Sequence, residues 1–221
     1  TGENRILAFY GIKQINTNPS TGIKAILEVC GLKDKEISIS DIVFKIGPRI
    51  NASGRMKLAT EAVELLVARD YGFAYKRSST INVYNNDRKD LDKSITDEAI
   101  AMIRADQSYV DRKSIVVYKP DWHKGVIGIV ASRLSEEYYK PTIVLTKSND
   151  FASGSARSVS GFDLYKAIDT CRDLLENFGG HMYAAGLTMK EENVEEFTRR
   201  FEQYVSDNIL EDQTYPQIEI D

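Results

Sequence analysis

"FGGHMYAAGLTM", residues Phe178 to Met189, sets two adjacent glycines against one of only two histidines in 221 residues. Upstream, "GFDLYKAIDTCRDLLENF" carries Leu164, Ile168, Cys171, Leu175 and Phe178 at three- and four-residue steps. That spacing predicts a helix ending near Phe178, and "AAGLTM" beyond it predicts a short strand. Two readings of the glycines then stand side by side. In one, Gly179 is the left-handed residue that closes the helix and Gly180 finishes the turn. In the other, bare backbone N–H groups and the imidazole of His181 lie together, a combination that can hold a phosphate oxygen and donate a proton to it.

The sequence ahead of this stretch reads as alternating elements. "KSIVVYKP", "HKGVIGIVASRLSEEYY" and "KPTIVLT" are a strand, a helix and a second strand, a βαβ unit with parallel strands. Gly125, Gly128, Ala131 and Ser132 fall along one side of that helix, where small residues let a backbone approach its sheet. "FASGSARSVS" reads as a glycine-interrupted strand on which Ser155 and Arg157, two residues apart, project from one face. A hydroxyl beside a guanidinium makes a phosphate clamp. The plain alternative is a surface arginine on an edge strand. After "AAGLTM", Asn193 and Glu196 form an N-cap and N3 pair for a last helix packed through Phe197, Phe201 and Tyr204.

The first half is helical. "TGIKAILEVCGL" places Ile23, Ile26, Leu27 and Cys30 on one face with Gly31 as C-cap, and "KLATEAVELLVARD" gives a short helix packed through Val63, Leu66 and Val67. Asp70 can then cap a long helix from about Tyr71 to Ala105, whose stripe is Ala74, Ile81, Tyr84, Leu91, Ile95, Ala99 and Met102. So narrow a stripe fits a connector between two domains, or a helix lying on one core. Between these, "IGPRINASGRM" reads as a loop: Pro48 sets a turn, Gly47 and Gly54 allow tight backbone, and Arg49, Asn51 and Arg55 offer donors to an anion. His123 in "PDWHKGVIG" precedes a helix start, as an anion contact or as a cap beside Trp122.

Composition narrows the chemistry. Hydrophobic residues make up 42% and charged ones 28%, enough apolar side chain for one or two ordinary cores. A net charge of -4 means that contact with nucleic acid must use a local basic patch. Cys30 and Cys171 lie among apolar neighbours and read as core thiols of a reducing compartment. No signal peptide and no apolar run of about 20 residues is present, so the expected setting is cytoplasmic and without a membrane. No metal-ligand cluster, P-loop, Cys-x-x-Cys pair or nucleophile elbow occurs, leaving a chain built to bind phosphate rather than cleave it. It begins without methionine and ends on "DQTYPQIEID", read as an opening strand, which suggests part of a longer protein.

Taken in order, "IGPRINASGRM", "WHKGVIGIVASRL", "GSARS", "GFDLYKAI" and "FGGHMYAAGLTM" resemble the RecJ branch of the DHH phosphoesterase superfamily over nearly the whole chain. The resemblance implies an α/β fold: a mixed sheet with flanking helices, the DHH-associated domain, preceded by a long connecting helix and the helical end of a DHH domain. It implies boundaries at 1–58 for the end of the DHH domain, 59–107 for connecting helices, 108–207 for the associated domain and 208–221 for the start of an OB-type domain. It implies a 5'–3' single-stranded-DNA exonuclease of repair and recombination that uses two manganese or magnesium ions, bound through the aspartates and histidines of an Asp-His-His motif and its companions that this sequence lacks. On that pattern Ser155 and Arg157 hold a 5'-terminal phosphate, Gly179, Gly180 and His181 line the cleft near the scissile phosphate with His181 as the catalytic group, and Arg49, Asn51 and Arg55 lie beside it. The expected partner is single-stranded DNA and the expected state a monomer, inactive by itself. Alternatives are a DHH-family oligoribonuclease or cyclic-dinucleotide phosphodiesterase, a non-catalytic RecJ-like replication scaffold, and, fitting poorly, an appendage of an alanyl-tRNA synthetase.

Overall fold

The structure, a computed structural model, describes residues 2–217. The chain divides into two compact units, Thr1–Asp90 and Leu91–Asp221. The first holds α1 (Glu3–Thr17), α2 (Thr21–Val29), α3 (Ile39–Asp41) continuing through a π-helical turn (Ile42–Ile46) into α4 (Gly47–Met56), α5 (Thr60–Val67) and the first part of α6 (Tyr71–Ala105). Its core gathers Ala25, Ile26, Leu27, Leu32, Ile37, Ile46, Leu65, Ala74 and Ile81. Gly31, with φ +69°, closes α2 as expected, and Asp70 Oδ1 accepts from the Phe73 N–H at 2.7 Å at the start of α6.

Two expectations fail here. The "IGPRINASGRM" stretch is not a loop: Gly47–Met56 is the helix α4, and Pro48, which has no N–H to donate, directly follows the wider π-helical turn Ile42–Ile46. Helix α5 buries Ala62 and Leu65, while Val63, Leu66 and Val67 are exposed. The reason is close approach: a Cβ on Gly22 of α2 would overlap the carbonyl oxygen of Leu65, so α2 seats on the Ala62/Leu65 face.

The second unit is a mixed sheet in the order β1-β2-β3-β5-β4, with β1 (Ile115–Tyr118), β2 (Thr142–Ser148), β3 (Phe151–Arg157), β4 (Leu175–His181) and β5 (Ala184–Lys190). β1 and β2 are parallel and the remaining pairs antiparallel. α7 (Ser108–Asp111) leads into β1, and α8 (Ile127–Tyr138) joins β1 to β2. One face of the sheet packs on α9 (Leu164–Asp169) and α10 (Val194–Asn208) through Ile143, Leu145, Leu187, Met189, Phe197 and Phe201. The other packs on α8 and on the last turns of α6 through Val117, Val144, Val130, Leu134, Ile95, Ala99 and Ile103. Cys171 is buried and Cys30 half-buried, and burial pushes both thiols up.

The predicted helix up to Phe178 is also wrong. α9 stops at Asp169, a 3-10 turn spans Arg172–Leu174, and Leu175–His181 is the edge strand β4. A bulge explains the misleading spacing. Leu175 faces Met189, Asn177 faces Thr188 and Phe178 faces Leu187, so Glu176 is an inserted residue. Leu175 and Phe178 therefore both turn to the core although they are three apart, a separation that a regular strand sends to opposite faces and a helix to one. Asn193 does stand at the N-cap of α10, but its side chain makes no cap bond and instead donates to the Leu174 carbonyl at 2.9 Å, pinning the entry to β4. The strand expected at the C-terminus lies partly in 218–221, outside the described residues; Glu211–Gln213 before it is a 3-10 turn.

Polar anchors fix helices to the sheet. Buried Asp92 of α6 accepts both Nε (3.0 Å) and Nη2 (2.9 Å) of Arg133 from α8. Glu98 of α6 accepts from Trp122 Nε1 at 2.6 Å and from Lys119, whose hydrogen bond does most to hold that carboxyl low. Glu202 of α10 accepts from the N–H groups of Lys113 (2.8 Å) and Ser114 (2.9 Å) and from the Ser114 hydroxyl (2.5 Å), just before β1. Because Ser114 is 1% exposed, Glu202→Ala leaves buried donors unpaired. It should lower unfolding free energy by about 1–3 kcal/mol in urea titrations, with Glu202→Gln, which keeps one acceptor oxygen, costing less.

Candidate functional site

Sheet register decides which of the singled-out residues meet. Along β3, Ala152 and Ala156 turn to the α9/α10 core, so Ser153, Ser155 and Arg157 turn to the α8 side. Arg157 pairs with Ala184 of β5, and Ala184 pairs with His181 of β4. Directly opposed residues of antiparallel strands share a face, so Arg157, Ala184 and His181 form one row, with Arg157 and His181 two strand spacings, roughly 10 Å, apart. Ser155, Gly186 and Gly179 form the next row, and Ser153, Thr188 and Asn177 the one after. α8 packs on β2 and β3, while Gly186, Gly179 and His181 beyond it are exposed. The result is a shelf walled by α8 on one side and floored by the bare backbone of β5 and β4.

Arg157 is held at the wall. Its Nε donates to Ser132 Oγ of α8 at 3.1 Å and its Nη1 to Ser155 Oγ at 3.2 Å and to the Ala156 carbonyl at 2.8 Å. Gly128 makes this possible, since a Cβ there would lie 3.0 Å from Ser155 Oγ and 3.3 Å from Arg157 Nη2. The expected alignment of small residues on α8 thus serves the arginine as well as the packing. Beyond the guanidinium a hollow of about 440 Å³ is lined by Ser132, Ser135, Glu136, Tyr139, Ser158 and Ser160, among others.

His181 lies at the opposite end of the row, exposed and not in the core. It opens the Met182–Tyr183 turn into β5, and its Nδ1 accepts from the Tyr183 N–H at 3.2 Å. The neutral ring then carries its proton on Nε2. The turn itself is tied down, with the Ser158 N–H donating to the Tyr183 carbonyl and the Leu164 N–H to the Met182 carbonyl, each at 3.0 Å. His123, the other histidine, is fixed in the same way: Nδ1 accepts from the Gly125 N–H at 3.1 Å.

The two glycines of the opening stretch have different reasons to exist. A Cβ on Gly180 would lie 2.5 Å from Ala185 Cα and closer still to the Ala184 carbonyl, so close backbone approach demands glycine there. On Gly179 a Cβ would meet nothing within 4 Å, and on Gly186 only the Gly154 carbonyl oxygen at 3.9 Å. Neither is a helix cap. Side-by-side glycines inside a sheet cost stability and pack nothing, which is the pattern of a surface kept bare for something that approaches closely. Gly180 belongs to the other face with Ala185. Gly186 was not among the expected site residues; its signal was the third residue of Ala-Ala-Gly, which only the register sets opposite Gly179.

Arg49, Asn51 and Arg55 belong to the first unit. On α4, Asn51 and Arg55 are one helical turn apart and both exposed. Arg49 points elsewhere: its Nε donates to Asn82 Oδ1 at 2.9 Å and its Nη1 to the Lys45 carbonyl at 2.6 Å. Among the described residues no group of three or more His, Cys, Asp or Glu is placed to hold a metal ion. The two histidines each commit Nδ1 to a backbone N–H, so these side chains do not fit a two-metal site. No described helix is long and apolar enough to cross a membrane.

Residues 111–207 match the DHHA1 domain. The chain is 37% identical over 221 residues to the single-stranded-DNA-specific exonuclease RecJ of Bacillus subtilis, covering 99% of this chain but 28% of that protein. It is 34% identical over 216 residues to the RecJ of Salmonella typhimurium, covering 92% of this chain and 37% of that protein. The chain therefore spans about a third of the length of these relatives. The crystal structure of Thermus thermophilus RecJ with Mg2+ superposes with a TM-score of 0.82 at 30% identity, over 94% of this chain and 32% of that one. The same enzyme has been solved with Mn2+, again with a TM-score of 0.82. With a DHHA1 sheet, a long helix leading into it and likeness along almost its full length, the chain belongs to the RecJ family of DHH phosphoesterases, in the region that contains the DHHA1 domain.

Proposed function

We propose that this chain holds the single strand on which a metal-dependent 5'–3' exonuclease acts. The observation that carries the reading is the shared sheet face: Ser155 and Arg157 at one edge, His181 at the other, and a floor of Gly179 and Gly186 between them. A guanidinium braced by Ser132 and Ser155 is set in place to meet a phosphate without first losing side-chain freedom. The 5'-terminal phosphate binds at Arg157 and Ser155. The strand then crosses the glycine floor, where sugar and phosphate lie against backbone, and His181 donates from Nε2 to a phosphate oxygen near the scissile bond. Binding of this kind tracks the backbone and is indifferent to base sequence, which suits an exonuclease.

The activity of the whole protein, hydrolysis of single-stranded DNA with Mg2+ or Mn2+, is proposed from the relatives' names and structures. The metal supplies the activated water when bound. The residues described above position and neutralise the substrate. Asn51 and Arg55, exposed together on α4, are proposed as a separate contact to the strand, and Arg49 as the residue that sets α4 through Asn82 and the Lys45 carbonyl.

Two measurements test this. Arg157→Ala should weaken binding of a 5'-phosphorylated oligonucleotide by about 1.5–3 kcal/mol, the scale of a hydrogen bond to a charged group, and should shrink the preference for 5'-phosphate over 5'-hydroxyl ends in fluorescence anisotropy. Unchanged affinity would remove the clamp. Gly179→Val should leave the thermal midpoint intact or raised, because its side chain enters open space and favours extended backbone, yet weaken single-strand binding severalfold by standing on the floor. Gly180→Ala should instead lower the midpoint, since its Cβ collides with Ala184 and Ala185.

A further inference from the structure

The shelf does not end at Ser155. Two residues along β3, Ser153 pairs with Thr188, and Thr188 pairs with Asn177, so a third polar row continues on the same face, running from buried Ser153 to exposed Asn177. Lys124, in the turn before α8, reaches this row. It is exposed, and its Nζ donates to Ser148 Oγ at 3.2 Å and to Ser153 Oγ at 3.5 Å. Two hydroxyls thus orient the ammonium, and neither carries charge to cancel it. One residue pair further, Lys190 of β5 stands opposite Phe151, with Glu192 3.9 Å from its Nζ.

The distribution of charge along the shelf is uneven in an informative way. Arg157 lies at one end and Lys124 with Ser153 at the other, and the single row between them, Ser155, Gly186 and Gly179, has no ionisable side chain. Arg157 Nη1 lies 3.2 Å from Ser155 Oγ and Lys124 Nζ 3.5 Å from Ser153 Oγ, and these serines are two strand residues, about 7 Å, apart. A chain bearing phosphates at intervals can engage both cations at once, which is the chemistry of a nucleic-acid backbone.

We propose that Lys124, set by Ser148 and Ser153, is a second phosphate subsite on this shelf, neutralising an internal phosphodiester of the strand whose terminal phosphate Arg157 holds. The inference rests on the reading of the shelf as a single-strand site. It assigns to Lys124 a binding role and to Ser153 and Ser148 a positioning role, at the margin of the glycine floor that the strand crosses.

The test pairs a protein change with a substrate change. The probes are a 5'-phosphorylated hexathymidylate and the same oligonucleotide with neutral methylphosphonates at its second and third linkages, bound to the 221-residue protein in fluorescence anisotropy. Lys124→Ala should weaken binding of the all-phosphate strand about three- to fivefold, the upper range for one exposed charge contact. It should lower the slope of log affinity against log salt by about 0.7, the loss of one phosphate contact on a single strand. On the methylphosphonate strand Lys124→Ala should have no effect, while Arg157→Ala should weaken both strands. An equal loss on both strands, or no loss on either, would overturn the subsite, provided Arg157→Ala still weakens binding. If Arg157→Ala is also silent, the shelf itself is not the binding surface and both readings fall. Lys124 is exposed, so an unchanged melting curve is expected and verifies that the variant is folded.

Discussion

The antiparallel register of β3, β5 and β4 is the constraint on which the site depends. Sliding β5 by one residue against β3 would send Ala184 and Gly186 to the α9/α10 core and turn Leu187 and Met189 toward the exposed side. The register is set from the buried side, where Leu187 and Met189 pack with Phe197 and Phe201. Gly154 tightens the fit, because a Cβ there would lie 2.6 Å from Leu145 Cδ2 and 2.9 Å from Leu187 Cδ2. Apolar packing beneath the sheet therefore places Arg157 and His181 above it, although neither contributes to that packing.

Gly179 and Gly186 expose backbone in an edge region where larger residues would strengthen the sheet. Rigidity is restored by local bonds: the Tyr183 N–H to His181 Nδ1, the Ser158 N–H to the Tyr183 carbonyl, and the paired hydroxyls around Arg157. On the proposed reading, these bonds set His181 and Arg157 before a strand arrives, so less conformational entropy is lost on binding.

α6 serves each unit with its own stretch of apolar surface. Ala74 and Ile81 enter the core of the first unit, and Ile95, Ala99 and Ile103 that of the second. Its middle is different: Ser78, Asn85 and Asp92 are buried at seven-residue intervals, and Asn85 accepts from Arg88 Nη2 at 3.1 Å. Of the expected stripe, Met102 is exposed and Ile103 is buried in its place. Exposed residues on α1, Leu7 at 69% and Phe9 at 64%, mark a helix that buries none of its side chains.

The sequence by itself determined the long helix from Tyr71 to Ala105, the β1-α8-β2 unit, the strand bearing Ser155 and Arg157 on one face, and the family, because each follows from local spacing or from motif order. It misread Leu164–Phe178 as one helix, since a bulge at Glu176 gives Leu175 and Phe178 a helical interval, and bulges are fixed by pairing with a strand that follows later in the chain. It misread α4 as a loop for a related reason: Pro and Gly are compatible with a helix start, and only packing against neighbouring helices selects that state. Which glycine serves packing and which serves the surface, and which arginine is committed inside its own unit, were settled by contacts between residues far apart in sequence. Those contacts depend on tertiary distance, and no one-dimensional spacing encodes it.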